Sequence, residues 1–219
     1  MYWNLLLAHF LADYPLQPDW LVRLKVRNGF ILLHIGMHFA VLLIVAGRVL
    51  QLLWPYLLTL SLIHLCIDLG KKYVNDRRPA WVVIPYAVDQ GFHFLSILLV
   101  TLWITSKYPA LRLPVSSTIA IYLVGYLLVT YIWFVSERIL AYANENYRQE
   151  LNIQLWPRMV ARAAFLTVFL ILSNGFSPLA SLISLPYISR RYGYRMLVID
   201  LAVASIVFAF IRLALVSSI

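Results

Sequence analysis

Charged residues are scarce in this sequence, and their scarcity excludes an ordinary soluble domain. Only 12% of the 219 residues are Asp, Glu, Lys or Arg, whereas 63% are hydrophobic. A soluble domain carries about 25% charged residues. The composition therefore predicts an integral membrane protein. Because the apolar residues form long runs rather than alternating patterns, the sequence also predicts an all-α fold.

Cysteine and acidic residues are also rare. Cysteine occurs once, as Cys66, which excludes an internal disulfide. Since Cys66 lies within an apolar run, we expect a small core residue. Nine acidic residues stand against 18 Lys and Arg, which gives a net charge of +9. These cations fall between the apolar runs, as the positive-inside rule predicts for cytoplasmic loops, and they do not indicate a nucleic-acid partner.

The apolar runs predict a polytopic bundle of about six to eight membrane segments. The short run at 2–14 has neither a basic leader nor a small-residue cleavage pattern, so it predicts a short membrane helix rather than a signal peptide. The long runs cover 29–47, 50–69, 80–105, 116–141, 159–188 and 196–218. A turn-like sequence at 173–178 divides the fifth long run into two pieces too short to span, which predicts a re-entrant hairpin near 159–188.

The distribution of basic residues predicts orientation, with the N-terminus outside and the loops at 23–27, 71–78 and 138–158 in the cytoplasm. We expect one membrane domain, 1–219. Residues 1–105 form a four-helix half in it, and 116–219 supply C-terminal helices with a polar loop at 142–157. Asp200 follows Arg195 by five residues and predicts an ion pair near the inner interface.

Histidine is absent after residue 93, and each of the five histidines lies four residues from another histidine or an aspartate. Residues four apart leave the same face of a helix. If successive helices alternate in direction, all four pairs reach the inner, cytoplasmic half of the membrane. The pairs, one in each of the first four apolar helices, are His9/Asp13, His34/His38, His64/Asp68 and Asp89/His93.

Imidazole and carboxylate groups are ligands of zinc and other transition metals. Eight such groups exceed the four that one tetrahedral zinc takes. They therefore predict a site for two divalent ions, with zinc favoured and manganese or iron as alternatives. Four nearby residues are candidates for orienting a ligand or contacting substrate: Gln17, Gln90, Lys25 and Lys71. The two lysines equally suit topology and contact with anionic lipid.

Several motifs in the first half resemble the prokaryotic domain-of-unknown-function family 3307. They are HFLADYPLQ at 9–17, HLCIDLGK at 64–71 and DQGFH at 89–93, with Lys25, His34 and His38 between them. Tyr14 stands where the family usually has Phe. A looser similarity connects the group to LexA-regulated inner-membrane metal-dependent hydrolases. The resemblance implies a metal site in a prokaryotic inner-membrane protein and a hydrolytic activity of unspecified substrate.

These observations predict a membrane-embedded metal-dependent hydrolase that acts on a lipid or lipid-linked substrate, with a metal-activated water as nucleophile. Membrane lipid is the expected partner. One alternative is a divalent-cation or proton-coupled transporter or sensor, although transporters often show repeat symmetry and the His/Asp helices here all lie in one half. Another is a di-iron membrane oxidoreductase, a class that uses mostly histidine in more closely spaced motifs.

Overall fold

A computed structural model of the protein describes residues 1–17, 28–172 and 194–217. Over these ranges the chain is helical and contains no strand, which confirms the all-α prediction. The α-helices are α1 (Tyr2–Asp13), α2 (Asn28–Ala46), α3 (Leu50–Arg77), α4 (Val83–Lys107), α5 (Ser117–Leu127), α6 (Trp133–Leu140), α7 (Glu145–Ile153), α8 (Leu155–Ile171) and α9 (Tyr194–Ser217).

Four helical stretches in the described residues are long and apolar enough to cross a membrane: Phe30–Arg77, Val83–Lys107, Ser117–Leu140 and Tyr194–Ser217. The first contains 48 residues, which would extend about 72 Å as one straight helix. A bilayer core is only ~30 Å thick. Because α2 and α3 pack against each other, this stretch is a helical hairpin. By contrast, the 12 residues of α1 extend about 18 Å, too short to cross alone.

The hairpin of α2 and α3 turns at a 3₁₀ segment, Gly47–Val49. Gly47 has a φ of +51°, which disfavours residues with a Cβ atom. A Cβ atom at this position would also lie 2.8 Å from Cγ of Pro114. The corner therefore requires glycine for two independent reasons, backbone conformation and close packing.

Residues 1–120 form one compact unit in which four helices close into a ring. Helix α1 packs against α2, α2 against α3, α3 against α4, and α4 returns to α1. Apolar residues with almost no exposed surface, including Leu5, Leu53, Leu57, Ile97 and Ile104, fill part of the interior. The remainder of the interior is occupied by the polar faces of the same helices.

Residues 121–219 form a second compact unit. Helix α5 continues through a π-helical turn, Leu128–Ile132, into α6. Helices α8 and α9 pack through a cluster of buried Ala, Leu and Phe side chains, including Phe165, Phe169 and Leu197. Part of the polar segment predicted at 142–157 is helical, since α7 lies within it and is capped by Asn144, whose Oδ1 accepts from Tyr147 N at 3.0 Å.

One expectation from the sequence is wrong, and two others fall partly or wholly outside the described residues. The prediction that Cys66 is a core residue is wrong, because Cys66 is exposed. It follows buried His64 by two residues and therefore faces the opposite side of α3. Helix α8 covers the first part of the re-entrant hairpin predicted near 159–188, and residues 173–188 lie outside the described residues. Lys25 also lies outside them.

Candidate metal centre

The eight predicted ligand side chains converge inside the four-helix ring. Their ligand atoms form three groups, and within each group all atoms lie within 4.8 Å of one another. The first and second groups share His64, and the second and third share His93, so that the three groups form one continuous cluster. The groups are Asp13/His34/His38/His64, His9/His64/His93 and Asp68/Asp89/His93.

Asp13 is the meeting point of the imidazoles from α1 and α2. Its Oδ1 lies 2.8 Å from Nε2 of His38 and 3.1 Å from Nε2 of His34. Its Oδ2 lies 3.4 Å from Nε2 of His9, one helical turn earlier. Nε2 of His64 lies 3.9 Å from the same Oδ1, so the carboxylate that ends α1 faces four imidazole nitrogens, and each of them is an Nε2 atom.

Asp68 and Asp89 extend the cluster towards α3 and α4. Oδ2 of Asp68 lies 3.7 Å from Nε2 of His34, and Oδ1 of Asp68 lies 3.9 Å from Nε2 of His93. Oδ1 of Asp89 is 3.5 Å from the same His93 nitrogen. Every one of the four helices thus supplies donor atoms to a single region.

The separations between donor atoms fit metal coordination. Ligand atoms 2.0–2.1 Å from a tetrahedral zinc lie about 3.4 Å from one another. Nε2 of His34 and Nε2 of His64 are 3.4 Å apart. In the part of the chain that the structure describes, Nε2 of His9, Nε2 of His93 and Oδ1 of Asp89 are buried without a hydrogen-bond partner. Such buried atoms are normally paired. His93 Nε2 and Asp89 Oδ1 lie 3.5 Å from each other, and His9 Nε2 lies 3.4 Å from Oδ2 of Asp13, separations that a metal ion between the atoms would also produce.

The cluster combines the donor types that divalent metals take. Its three carboxylates belong to Asp13, Asp68 and Asp89, and Nζ of Lys71 lies 2.7 Å from Oδ2 of Asp89. Imidazole nitrogens and carboxylate oxygens are ligands of zinc and other transition metals. The residues present therefore fit a metal ion in their chemistry.

Polar contacts outside the eight side chains hold one carboxylate in place. Gln90 Nε2 donates to Oδ2 of Asp89 at 3.1 Å, and the Tyr14 hydroxyl donates to Oε1 of Gln90 at 3.3 Å. The Tyr14 hydroxyl also lies 3.2 Å from that of Tyr86. The hydroxyl that distinguishes Tyr14 from the usual Phe thus takes part in this chain. Gln17 lies in the turn after α1, where its backbone N–H donates to the Tyr14 carbonyl at 3.3 Å.

A cavity of about 10 Å³ adjoins the imidazoles. This is about the space that one water needs. Leucine and isoleucine side chains enclose part of it, and its polar lining consists of His9, His38, His64, His93, Ser61 and Ser96. The cavity can therefore hold a small polar molecule in contact with the cluster.

A second buried polar cluster, in residues 121–219, was missed by the sequence reasoning. Oδ1 and Oδ2 of Asp200 accept from Arg158 at 2.6 and 3.0 Å, and Oδ1 also accepts from Arg162 at 2.9 Å. Arg158 Nη2 donates to Oε1 of Glu137 at 3.1 Å. Arg195, the cation closest to Asp200 in the sequence-based expectation, instead lies over the Tyr147 ring at 5.3 Å. The four-residue spacing of Arg158 and Arg162 is the signal that could have revealed the cluster.

The comparison with protein families agrees with the resemblance of the motifs. The chain belongs to the family described as protein of unknown function DUF3307, whose family model matches residues 1–122. The matched region contains all eight side chains of the cluster. No curated protein and no solved structure matches the chain. The looser similarity to the LexA-regulated hydrolases stays a prediction.

Proposed function

We propose that this member of the DUF3307 family is a membrane-embedded metal-dependent hydrolase that acts on a lipid or lipid-linked substrate. The proposal is carried by one observation: four helices direct their imidazoles and carboxylates into one cluster whose ligand atoms lie close together. The proposed ligands are His9, Asp13, His34, His38, His64, Asp68, Asp89 and His93.

Two divalent ions account for a cluster of this size. The group of Asp13, His34, His38 and His64 offers four donor atoms, the number that tetrahedral zinc takes. Asp68, Asp89 and His93 offer three more, with His9 beside them. Zinc suits this mixture of imidazole and carboxylate, and manganese or iron are the alternatives.

When bound, divalent ions supply Lewis acidity and lower the pKa of water. The protein supplies position. Lys71 and Gln90 hold Oδ2 of Asp89, so that Oδ1 faces the cluster as a ligand or as a proton acceptor. The cavity beside Ser61 and Ser96 has room for the reacting water. In the reaction a water oxygen bonds to phosphorus or an acyl carbon, the ester or amide bond breaks, and a proton passes to the departing group.

The substrate class follows from where the cluster lies. Its α2, α3 and α4 ligands belong to stretches apolar enough to cross a membrane, Phe30–Arg77 and Val83–Lys107. A substrate that reaches them from the bilayer is a lipid or carries a lipid chain. The resemblance to a prokaryotic family supports an inner-membrane location, and the distribution of basic residues supports a cluster nearer the cytoplasmic side.

The first test is elemental analysis of the detergent-purified protein beside His38→Ala and Asp68→Ala variants. We expect about two equivalents of metal in the parent protein and a substantial loss in both variants. Asp76→Ala is the matched control, because Asp76 is exposed on the same helix as Asp68 and pairs with Lys72 at 2.8 Å. Equal metal in all four proteins, or none after reconstitution with zinc, manganese and iron, would refute the metal site.

Hydrolysis is tested with the metal-loaded protein and phospholipids, polyprenyl phosphates and lipid amides in mixed micelles. Turnover that disappears in His38→Ala and persists in Asp76→Ala supports the proposal. A tightly metal-loaded protein without turnover refutes the hydrolase. Weak, exchangeable metal together with cation uptake into proteoliposomes would instead identify a transporter.

A further inference from the structure

A large apolar groove runs between α3 and α4. Its volume is about 730 Å³, within the range of about 300–1,000 Å³ typical of small-molecule sites. Leucine, isoleucine, valine and aromatic side chains form most of its lining, and several of them are half exposed, such as Leu62, Ile84, Val88 and Phe92. The groove is therefore accessible from outside the ring and suited to hydrocarbon.

One part of the groove is charged and meets the proposed metal site. Lys71 and Asp89 are the charged side chains among its described lining residues. They contact each other at 2.7 Å, and Asp89 also belongs to a metal-competent group with Asp68 and His93. A molecule in the groove would thus touch a carboxylate of the cluster without entering the ring.

Several cations follow this charged part along the chain. The last turns of α3 carry Lys71, Lys72 and Arg77, with Arg78 directly after the helix. Asp76 pairs with Lys72. Arg78 lies over the ring of Trp81, a lining residue, at 5.6 Å. The groove therefore combines an apolar length with an excess of positive charge near one end.

We propose that this groove binds a hydrocarbon chain of an anionic, phosphate-bearing lipid, whose headgroup lies against Lys71 and Arg78. The apolar length matches the chain, and the cations match the phosphate. A second copy of the protein or another apolar helix would fill the groove without bringing an anion to these cations. This assignment deepens the proposed function by naming its substrate class, and as a substrate site it rests on that function. Lipid binding itself does not need the metal.

Gly70 provides a way to fill the groove without disturbing the protein. It lies in α3 and lines the groove, and a Cβ atom added there meets no atom within 4 Å. Leucine is also a better helix former than glycine. Gly36→Leu is the matched control, because Gly36 lies in α2, is equally open and does not line the groove.

The experiment is native mass spectrometry of the full chain in detergent, titrated separately with phosphatidylglycerol and phosphatidylcholine. We expect the parent protein and Gly36→Leu to bind one phosphatidylglycerol about tenfold more tightly than phosphatidylcholine. Gly70→Leu should lose about tenfold in affinity for phosphatidylglycerol. Arg78→Gln should reduce the preference between the two lipids while still binding both.

Two kinds of result would overturn the lipid assignment. One is equal affinity of the parent protein for the two lipids, or unchanged binding in Gly70→Leu. The other is a dimer that Gly70→Leu abolishes, since the groove would then be an interface between copies.

Repeating the titration after chelation separates this proposal from the hydrolase. Selective lipid binding by a protein that never holds metal would refute the hydrolase and leave the lipid groove standing. Metal-dependent hydrolysis that Gly70→Leu does not alter, with no lipid selectivity, would refute the groove and leave the hydrolase standing.

Discussion

The protein contains two buried polar clusters, one in residues 1–120 and one in residues 121–219. They differ in how charged groups are accommodated inside an apolar protein. In the second, two guanidinium groups face two carboxylates, and Asp200 accepts three hydrogen bonds of 2.6–3.0 Å from Arg158 and Arg162. In the first, imidazoles and carboxylates from four helices meet in one region.

The difference shows that burial of polar residues does not by itself indicate a functional site. Guanidinium and carboxylate groups that pair with one another are explained by structure alone, and guanidinium groups do not bind metal ions. Imidazoles and carboxylates that meet in one region are instead the ligands that transition metals take. The kind of donor atom therefore separates a structural cluster from a candidate metal cluster, and the comparison predicts opposite responses to mutation.

The largest expected effect is on metal binding by His64→Ala. His64 belongs to two of the three ligand groups, so its removal should disturb both proposed ions. Loss of even an outer partner costs 10- to 100-fold in metal affinity, and we expect about 100-fold or more here. Metal competition with a fluorescent chelator measures the affinity. An unchanged affinity would mean that both clusters are structural.

Asp200→Ala should produce the reverse pattern. It leaves Arg158 and Arg162 without their common carboxylate in a buried site, and removing one partner of a buried ion pair costs about 3–5 kcal/mol. We expect a lower thermal unfolding temperature with unchanged metal content. Asp76→Ala, which removes an exposed ion pair, should cost at most about 1 kcal/mol. If Asp200→Ala reduced metal content in a folded protein, the two clusters would not be independent.

Tyr147→Phe is a smaller test of the second cluster. The Tyr147 hydroxyl donates to Oε1 of Glu137 at 2.7 Å. Burial, and next this hydrogen bond, raise the pKa of Tyr147 from 10.0 to about 12. Losing the bond should cost about 1 kcal/mol. Because the folded-state pKa is raised, the difference in unfolding temperature should persist up to pH 10 and decrease between pH 10 and 12. A difference that stayed constant across this interval would contradict the assignment.

Much of the first cluster could be predicted because the two members of each ligand pair lie close together in the sequence. Both members of each His/Asp pair lie on one helix, so the four-residue spacing alone places them on one face. Apolar run lengths likewise predicted the helices that carry them. The sequence could not reveal which atoms meet between helices, such as Lys71 with Asp89 or Tyr14 with Gln90, because these contacts depend on packing across the ring.

The second cluster was missed because its members are spread along the chain. Glu137, Arg158 and Asp200 lie on three different helices, separated by 21 and 42 residues. Basic residues near the ends of apolar runs also fit the positive-inside rule. The same residues can therefore be read as cytoplasmic loop residues when they in fact form buried ion pairs. The prediction for Cys66 was wrong for another reason, because an apolar run does not show which face of its helix is exposed.

The π-helical turn at Leu128–Ile132 supplies backbone acceptors to Arg162. Arg162 donates to the carbonyl oxygens of Val129 and Thr130 in this turn. A π turn holds one more residue than an α-helical turn would. Deleting one residue here would therefore leave an ordinary α-helical turn, and Glu137 would still face Arg158. The i→i−4 hydrogen bonds of that turn would then engage the carbonyl oxygens that Arg162 uses, so the deletion would weaken the cluster at Arg162 alone.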